Sequence, residues 1–228
     1  MEPHRIKDLI ELHSKFISDN RKLQLKKVLA QRTRYVTVVL EDLFQSHNAS
    51  AVLRSCDCFG VQDVHIIENT NEFSVSPQVA LGAAKWLNLH KYNKHQNNTL
   101  DAISALKKNG YRIVATSPHT NETSLNTFNI NKGKFALFFG TELTGLSEQV
   151  MDNADEFLLI PMHGFTESLN ISVSAAICLY TLSQRLYESE TDYKLDQHEA
   201  DIIMLDWLRK TVKSWQSIEN RFFNEINQ

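Results

Sequence analysis

The chain has 228 residues, with 24 basic and 27 acidic side chains and a formal net charge of −3. A content of 42% apolar and 22% charged residues excludes bulk disorder, collagen-like repeats and low-complexity linkers, and suits one ordinary domain with appendages. The near-neutral balance argues against a generally basic nucleic-acid coat and leaves open a local basic patch.

Residues 5–31 read as helix, with Ile6, Leu9, Ile10, Leu12, Phe16, Leu23, Leu25, Val28 and Leu29 at mixed three-to-four spacing. Tyr35 to Leu40 is a continuous β-branched run, the pattern of a strand buried on both faces. A helix from Asn48 to Phe59 follows, ended by Gly60, and Val64 to Ile67 is a second strand. Leu100 to Lys108 reads as a helix closed by Gly110, and Tyr111 to Thr116 and Phe135 to Phe139 as strands. A short helix spans Leu146 to Asn153. Phe157 to Ile160 is a fifth strand, stopped by Pro161, and a long helix runs from about Asn170 to Tyr187. One last helix carries Ile202, Ile203, Leu205, Leu208, Val212, Trp215, Ile218 and Phe222 on its apolar stripe.

This alternation predicts an α/β fold with a mostly parallel sheet flanked by helices. Residues 33–187 form the expected domain, 1–32 a basic helical extension and 188–228 a second helical extension. Cys56, Cys58 and Cys178 are too few and too oddly spaced for a disulfide framework or a zinc site, so no metal is expected. His65 lies in an apolar run nearby. The N-terminus lacks the apolar core of a signal peptide, and no apolar run is long enough to span a bilayer. A cytoplasmic protein without a membrane partner is expected.

Ligands of open parallel sheets gather at the carboxyl ends of the strands. Four loops lie there, 41–48, 116–119, 140–145 and 161–170. No G-x-x-x-x-G-K-[ST] loop exists, which excludes a P-loop hydrolase, and no strand is followed by G-x-G-x-x-G, so the ordinary dinucleotide site is absent. A nicotinamide-dependent oxidoreductase is disfavoured on the same ground. Taken singly, Asn48 reads as an N-cap, Arg54 as a solvated helix arginine, Glu142 as a turn residue, and Ser168 and Asn170 as caps. Together, loops rich in Asn, Glu, Ser and Gly at one sheet edge point to a site. Gly140 and Gly164 allow close backbone approach.

Three segments carry a resemblance. His47 to Arg54 with Phe59-Gly60, Phe138 to Leu146, and Ile160-Pro161-Met162 through Ser168 to Ala176 resemble, in order and spacing, the three motifs of the SpoU/TrmH branch of the SPOUT RNA ribose 2′-O-methyltransferases. The resemblance covers about 35–187. It implies a deep trefoil knot in the C-terminal part of the sheet domain, a homodimer with its site at the subunit interface, and S-adenosylmethionine as methyl donor. On this likeness Arg54, Asn48, Glu142, Ser168 and Asn170 fall on catalytic positions, and Thr116, Gly140, Ile160, Met162, Ser168 and Leu169 on positions that wrap the cofactor. The short ends resemble members that methylate a D-loop guanosine of tRNA. Ribosomal RNA as substrate, and an RNA-binding protein with a dead site, are the alternatives.

The charge distribution supports an RNA partner separately. Arg21, Lys22, Lys26, Lys27, Arg32 and Arg34 occur with no acidic residue between them, a candidate phosphate-binding stretch. Arg209, Lys210, Lys213 and Arg221 stand near Trp207 and Trp215 in the tail. A basic run is usually a solvated helix face, and the tryptophans read first as packing residues.

Overall fold

The computed structural model describes residues 3–117, 123–141 and 144–226. These make two compact units, Thr33–Tyr193 and a second one built from Met1–Arg32 with Lys194–Gln228. In the second unit lie α1 (Pro3–Ser14) and α2 (Asp19–Leu29). The first holds β1 (Val36–Glu41), α3 (Ser46–Cys58), β2 (Asp63–Ile67), α4 (Pro77–Ala80), β3 (Asn88–Tyr92), α5 (Thr99–Lys108), β4 (Arg112–Thr116), β5 (Phe135–Phe139), α6 (Glu148–Asn153), β6 (Glu156–Leu158) and α7 (Ile171–Tyr187). The chain then returns to the second unit with α8 (Gln197–Thr211) and α9 (Trp215–Ile226).

The sheet has the order β3-β2-β1-β5-β4-β6, and every neighbouring pair is parallel. Alternate side chains of a strand leave on opposite faces, and both faces here are covered. Val38, Leu40, Leu137 and Phe139 join one buried cluster with Val52 and Leu53 of α3 and Leu179 and Leu182 of α7. Val39, Ala115, Ala136 and Phe138 join the other with Ile103 and Leu106 of α5 and Val150 of α6. That two-sided burial explains why β1 and β5 read as unbroken apolar runs. Each large apolar side chain so buried contributes roughly 1.5–3 kcal/mol.

The five expected strands are present, and a sixth, β3, joins them at the edge of the sheet. Two long expected helices are each broken in two. Residues 5–31 divide because Ser18 takes extended backbone and caps α2, its side chain accepting from the Arg21 amide. The tail divides at Ser214, whose φ of 55° is left-handed. Asn48 is not the cap of its helix: α3 begins at Ser46, so Asn48 lies inside the first turn. The expected terminators hold, with Gly60 and Gly110 at φ of 78° and 80° just beyond α3 and α5. Among the described residues no helix is long and apolar enough to cross a membrane.

In the second unit, Ile6 and Leu9 of α1 pack with Leu205 of α8, flanked by Phe222 and Phe223 of α9. Buried His13 meets Glu219 of α9 at 2.7 Å, and Arg209 of α8 grips the same carboxylate at 2.7 and 2.9 Å. The carboxylate therefore ties three helices. Trp207 is 1% exposed with the Arg32 guanidinium 5.2 Å from its ring, so it is a packing residue.

Candidate active site at the carboxyl edge of the sheet

β5, β4 and β6 are neighbours, and their carboxyl ends open into a cavity of about 460 Å³. Thr116, Gly140, Ile160, Met162, Ser168 and Leu169, all six expected cofactor residues, line it. So do Ser117, Thr141, Gly145, Leu146 and Glu167, which stand in or beside the same loops and carried no separate sequence signal. The Thr116 hydroxyl donates to the Phe138 carbonyl at 2.6 Å and so closes β4 onto β5 at the cavity floor.

The glycine loop folds back on itself. Thr141 and Gly145 exchange backbone hydrogen bonds at 3.0 Å each. A Cβ on Gly140 would lie 2.1 Å from the Gly145 carbonyl oxygen and 2.5 Å from the Leu146 amide nitrogen. Only glycine lets the two backbone segments touch. Gly164, by contrast, has room for a side chain, with the nearest atom 3.9 Å away.

Beside the cavity, the first and third motifs meet. The Asn170 side chain caps α7 by accepting from the Ser172 amide at 2.9 Å. Its NH₂ group donates to Asn48 Oδ1 at 3.2 Å, and the Asn48 NH₂ group donates to Gln45 at 3.1 Å. One asparagine pair thereby joins the start of α3 to the start of α7. Asn48 is buried while Asn170 is exposed. Arg54 lies further along α3, exposed, and has no hydrogen-bond or ion-pair partner among the described residues. Six residues of helix put it about 9 Å along the axis from Asn48 and roughly 120° around it. Neither Arg54 nor the asparagine pair lines the cavity. Glu142, the remaining expected site residue, lies outside the described residues, as do Pro118 and His119 of the loop after β4.

The expected basic stretch is only partly presented to solvent. Lys26 and Lys27 are exposed on α2. Lys22 pairs with Asp19 at 2.8 Å, Arg21 donates to Gln24 at 2.7 Å, and Arg34 pairs with Asp63 at 2.6 Å. Arg32 is 1% exposed, and a buried side chain cannot take a phosphate from solution, so this expected RNA contact is corrected. In the tail, Arg209, Lys210 and Arg221 all pair with carboxylates of their own unit.

All three cysteines are free, Cys58 exposed and Cys56 and Cys178 buried, and burial pushes the Cys178 thiol up to about 12. Among the described residues no three His, Cys, Asp or Glu side chains gather as metal ligands would.

Comparison with known proteins places this arrangement. Residues 35–180 match the SpoU rRNA Methylase family. The chain is 49% identical over 207 residues to the tRNA (guanosine(18)-2′-O)-methyltransferase of Borreliella burgdorferi, covering 91% of this chain and 93% of that one. It is 32% identical to the Thermus thermophilus enzyme of the same name, over 85% and 98% of the two chains. The crystal structure of the Aquifex aeolicus TrmH/SpoU tRNA modifying enzyme superposes with a TM-score of 0.75 at 26% identity, covering 85% of this chain and 98% of that one.

Proposed function

The chain belongs to the SpoU methylase family, and from that membership we propose that it methylates tRNA, transferring a methyl group from S-adenosylmethionine to the ribose 2′-hydroxyl of guanosine 18, the nucleoside in its relatives' names. The observation that carries this reading is the cavity whose lining gathers Thr116, Gly140, Ile160, Met162, Ser168 and Leu169 beside the Asn48–Asn170 pair.

The residues fit the methyl donor. About 460 Å³ lies within the range of small-molecule sites, and the lining mixes apolar Leu146, Leu158, Ile160 and Met162 with the hydroxyls of Thr116, Ser117 and Ser168. Those side chains, with the backbone freed by Gly140, would hold it. When bound, it supplies an electrophilic methyl group.

The protein's own share is positioning and electrostatics. A guanidinium is a permanent cation and a poor base, so Arg54 acts by holding a phosphate of the substrate and favouring negative charge as it grows on the 2′-oxygen. Asn48 and Asn170 fix α3 against α7, and Ser168 and Glu142 shape the site around the ribose.

A homodimer completes this site. Val173 and Tyr180 are 44% and 57% exposed, and their seven-residue spacing puts them on one side of α7, with Leu169, 39% exposed, in the loop just before that helix. Arg54, without a partner among the described residues and off its own cavity, is available to serve the cavity of a second copy. Family membership supports a trefoil knot in the C-terminal part of the sheet domain, and a tRNA substrate a cytoplasmic setting. Lys26 and Lys27, with Arg21 and Lys22 on the same helix, supply contacts to RNA phosphates.

The test is methyl transfer to a tRNA transcript, with the modified nucleotide mapped. Wild-type protein is expected to modify guanosine 18. Arg54→Ala should lose turnover by about 100-fold or more, the scale of one lost electrostatic contact to a transition state, while binding S-adenosylmethionine as before. Retained turnover in Arg54→Ala would remove the role given to that arginine.

A further inference from the structure

The end of β1 carries a buried carboxylate that none of the three motifs includes. Glu41 is 3% exposed, and no cation pairs with it among the described residues. Burying a carboxylate is costly unless donors fill its lone pairs. Here three do. Oε1 accepts from the Ser147 hydroxyl and from the Thr99 hydroxyl, both at 2.7 Å, and Oε2 accepts from the Ser147 backbone amide at 2.9 Å.

Both hydroxyls are oriented toward Glu41 by what they receive. Thr99, at the start of α5, accepts from the Asn69 side chain at 3.0 Å, and Ser147, the cap of α6, accepts from the Val150 amide at 3.3 Å. A line of donors thus runs from Asn69 through Thr99 to Glu41, and a second reaches it from the cap of α6. Networks with every group satisfied fix one geometry.

What that geometry fixes is the cavity wall. Ser147 directly follows Leu146, and Gly145 and Leu146 are the residues whose backbone lies against Gly140. Thr141 and Gly145 are joined by their own hydrogen bonds, and Ser147, one residue beyond Leu146, is held by Glu41. We propose that Glu41 is a positioning residue for the methyl donor: through Ser147 it holds Gly145 and Leu146 against Gly140, the arrangement that admits S-adenosylmethionine. The proposal rests on the reading of this cavity as the cofactor site.

Titration calorimetry of the full-length protein with S-adenosylmethionine tests it. Glu41→Gln keeps the shape of the side chain but turns one acceptor into a donor facing a donor. Its Kd for S-adenosylmethionine, and its KM for it in turnover, should rise about tenfold, the scale of one lost hydrogen bond to a charged group. The KM for tRNA should stay within about twofold of wild type. Ser147→Ala should weaken cofactor binding similarly, Ser147→Thr should restore it by returning the hydroxyl, and the double variant Glu41→Gln/Ser147→Ala should be no weaker than Glu41→Gln alone. A folded Glu41→Gln protein that binds the cofactor like wild type, or two effects that simply multiply, would overturn the proposal. If Glu41→Gln does not fold, the Ser147→Ala and Ser147→Thr pair decides by the same measure. Wild-type protein that binds S-adenosylmethionine but methylates no tRNA would instead refute the function assigned above and leave Glu41 its role.

Discussion

At Gly140 the requirement for a missing side chain is steric and local. Its φ is not among the positive values of the chain, so no left-handed backbone demands glycine, and the cause is the neighbouring strand of its own loop. A methyl group 2.1 Å from a carbonyl oxygen forces backbone apart. Gly140→Ala is expected to cost about 2 kcal/mol or more in unfolding free energy and to abolish measurable cofactor binding, both read from denaturant melts and calorimetry on one preparation. Gly164→Ala serves as the control, since the space there is open, and it should bind nearly as wild type. A second residue-scale case is Asp42, held at φ 54°. Its Oδ1 accepts from the amides of Asn69, Thr70 and Asn71 at 3.0, 2.7 and 2.8 Å, and so folds the loop after β2 against the one that leads into α3. Asp42→Ala should lose about 2 kcal/mol of stability, and Asp42→Asn clearly less, because asparagine keeps an acceptor and tolerates the left-handed region.

Elements buried on both faces were the ones legible in the sequence. β1, β2, β4 and β5 are apolar runs because helices cover each side. β3 was not legible: Asn88-Leu89-His90-Lys91-Tyr92 is half-exposed or exposed at every position at the sheet's edge, so nothing in its composition needs an interior. The helix breaks at Ser18 and Ser214 rest on single residues inside apolar stripes that continue across them. Site residues divide the same way. Gly140, Ser168 and Asn170 stand in motif segments, whereas Glu41 and Ser147 come together only when β1 and α6 do. The missed strand also explains the buried histidine on β2. His65 is 8% exposed, its ring stacked 4.6 Å from that of His90 on β3, with Nδ1 2.9 Å from the Tyr92 hydroxyl. Burial, then the nearby His90, lowers its pKa from 6.5 to about 4. Below pH 6.5 the unfolded chain therefore takes up a proton here that the folded one refuses. Unfolding free energy should fall by up to about 1.4 kcal/mol per pH unit between pH 6.5 and 4, roughly 3 kcal/mol in all. Asp63 and Glu219, whose pKa values are lowered from 3.8 and 4.5, withdraw their stability only at lower pH. Urea melts from pH 7 to 4.5 should accordingly flatten in His65→Gln; an unchanged slope would place the acid sensitivity elsewhere.

For the whole molecule, the question is how a chain of net charge −3 holds a polyanion. Pairing within the fold does not remove the acidic surplus, because it takes cations out together with the carboxylates they meet. Asp63 pairs with Arg34 and His90, Glu219 with Arg209 and His13, and Glu156 with Arg112 and Lys132. Internal pairing neutralises both partners, so the charges that a distant phosphate meets are the exposed ones left over. Lys26 and Lys27 are two of these. A homodimer, as proposed above, presents each of them twice, and Val173→Glu on the exposed stripe of α7 should give monomers in sedimentation with turnover reduced about tenfold or more. Phosphate contacts release counterions, and each lost contact reduces the slope of log K against log salt by about 0.7–0.9. Lys26→Gln/Lys27→Gln should therefore bind tRNA more weakly at low salt, with a slope shallower by about 1.5 if one copy of each lysine contacts the RNA. Arg32→Gln should leave the slope unchanged and lower the melting temperature instead, because that guanidinium lies buried on Trp207. Filter binding from 50 to 300 mM salt (roughly the range over which such contacts dissociate) separates the two variants. An unchanged slope in the lysine pair would move the RNA contact off α2.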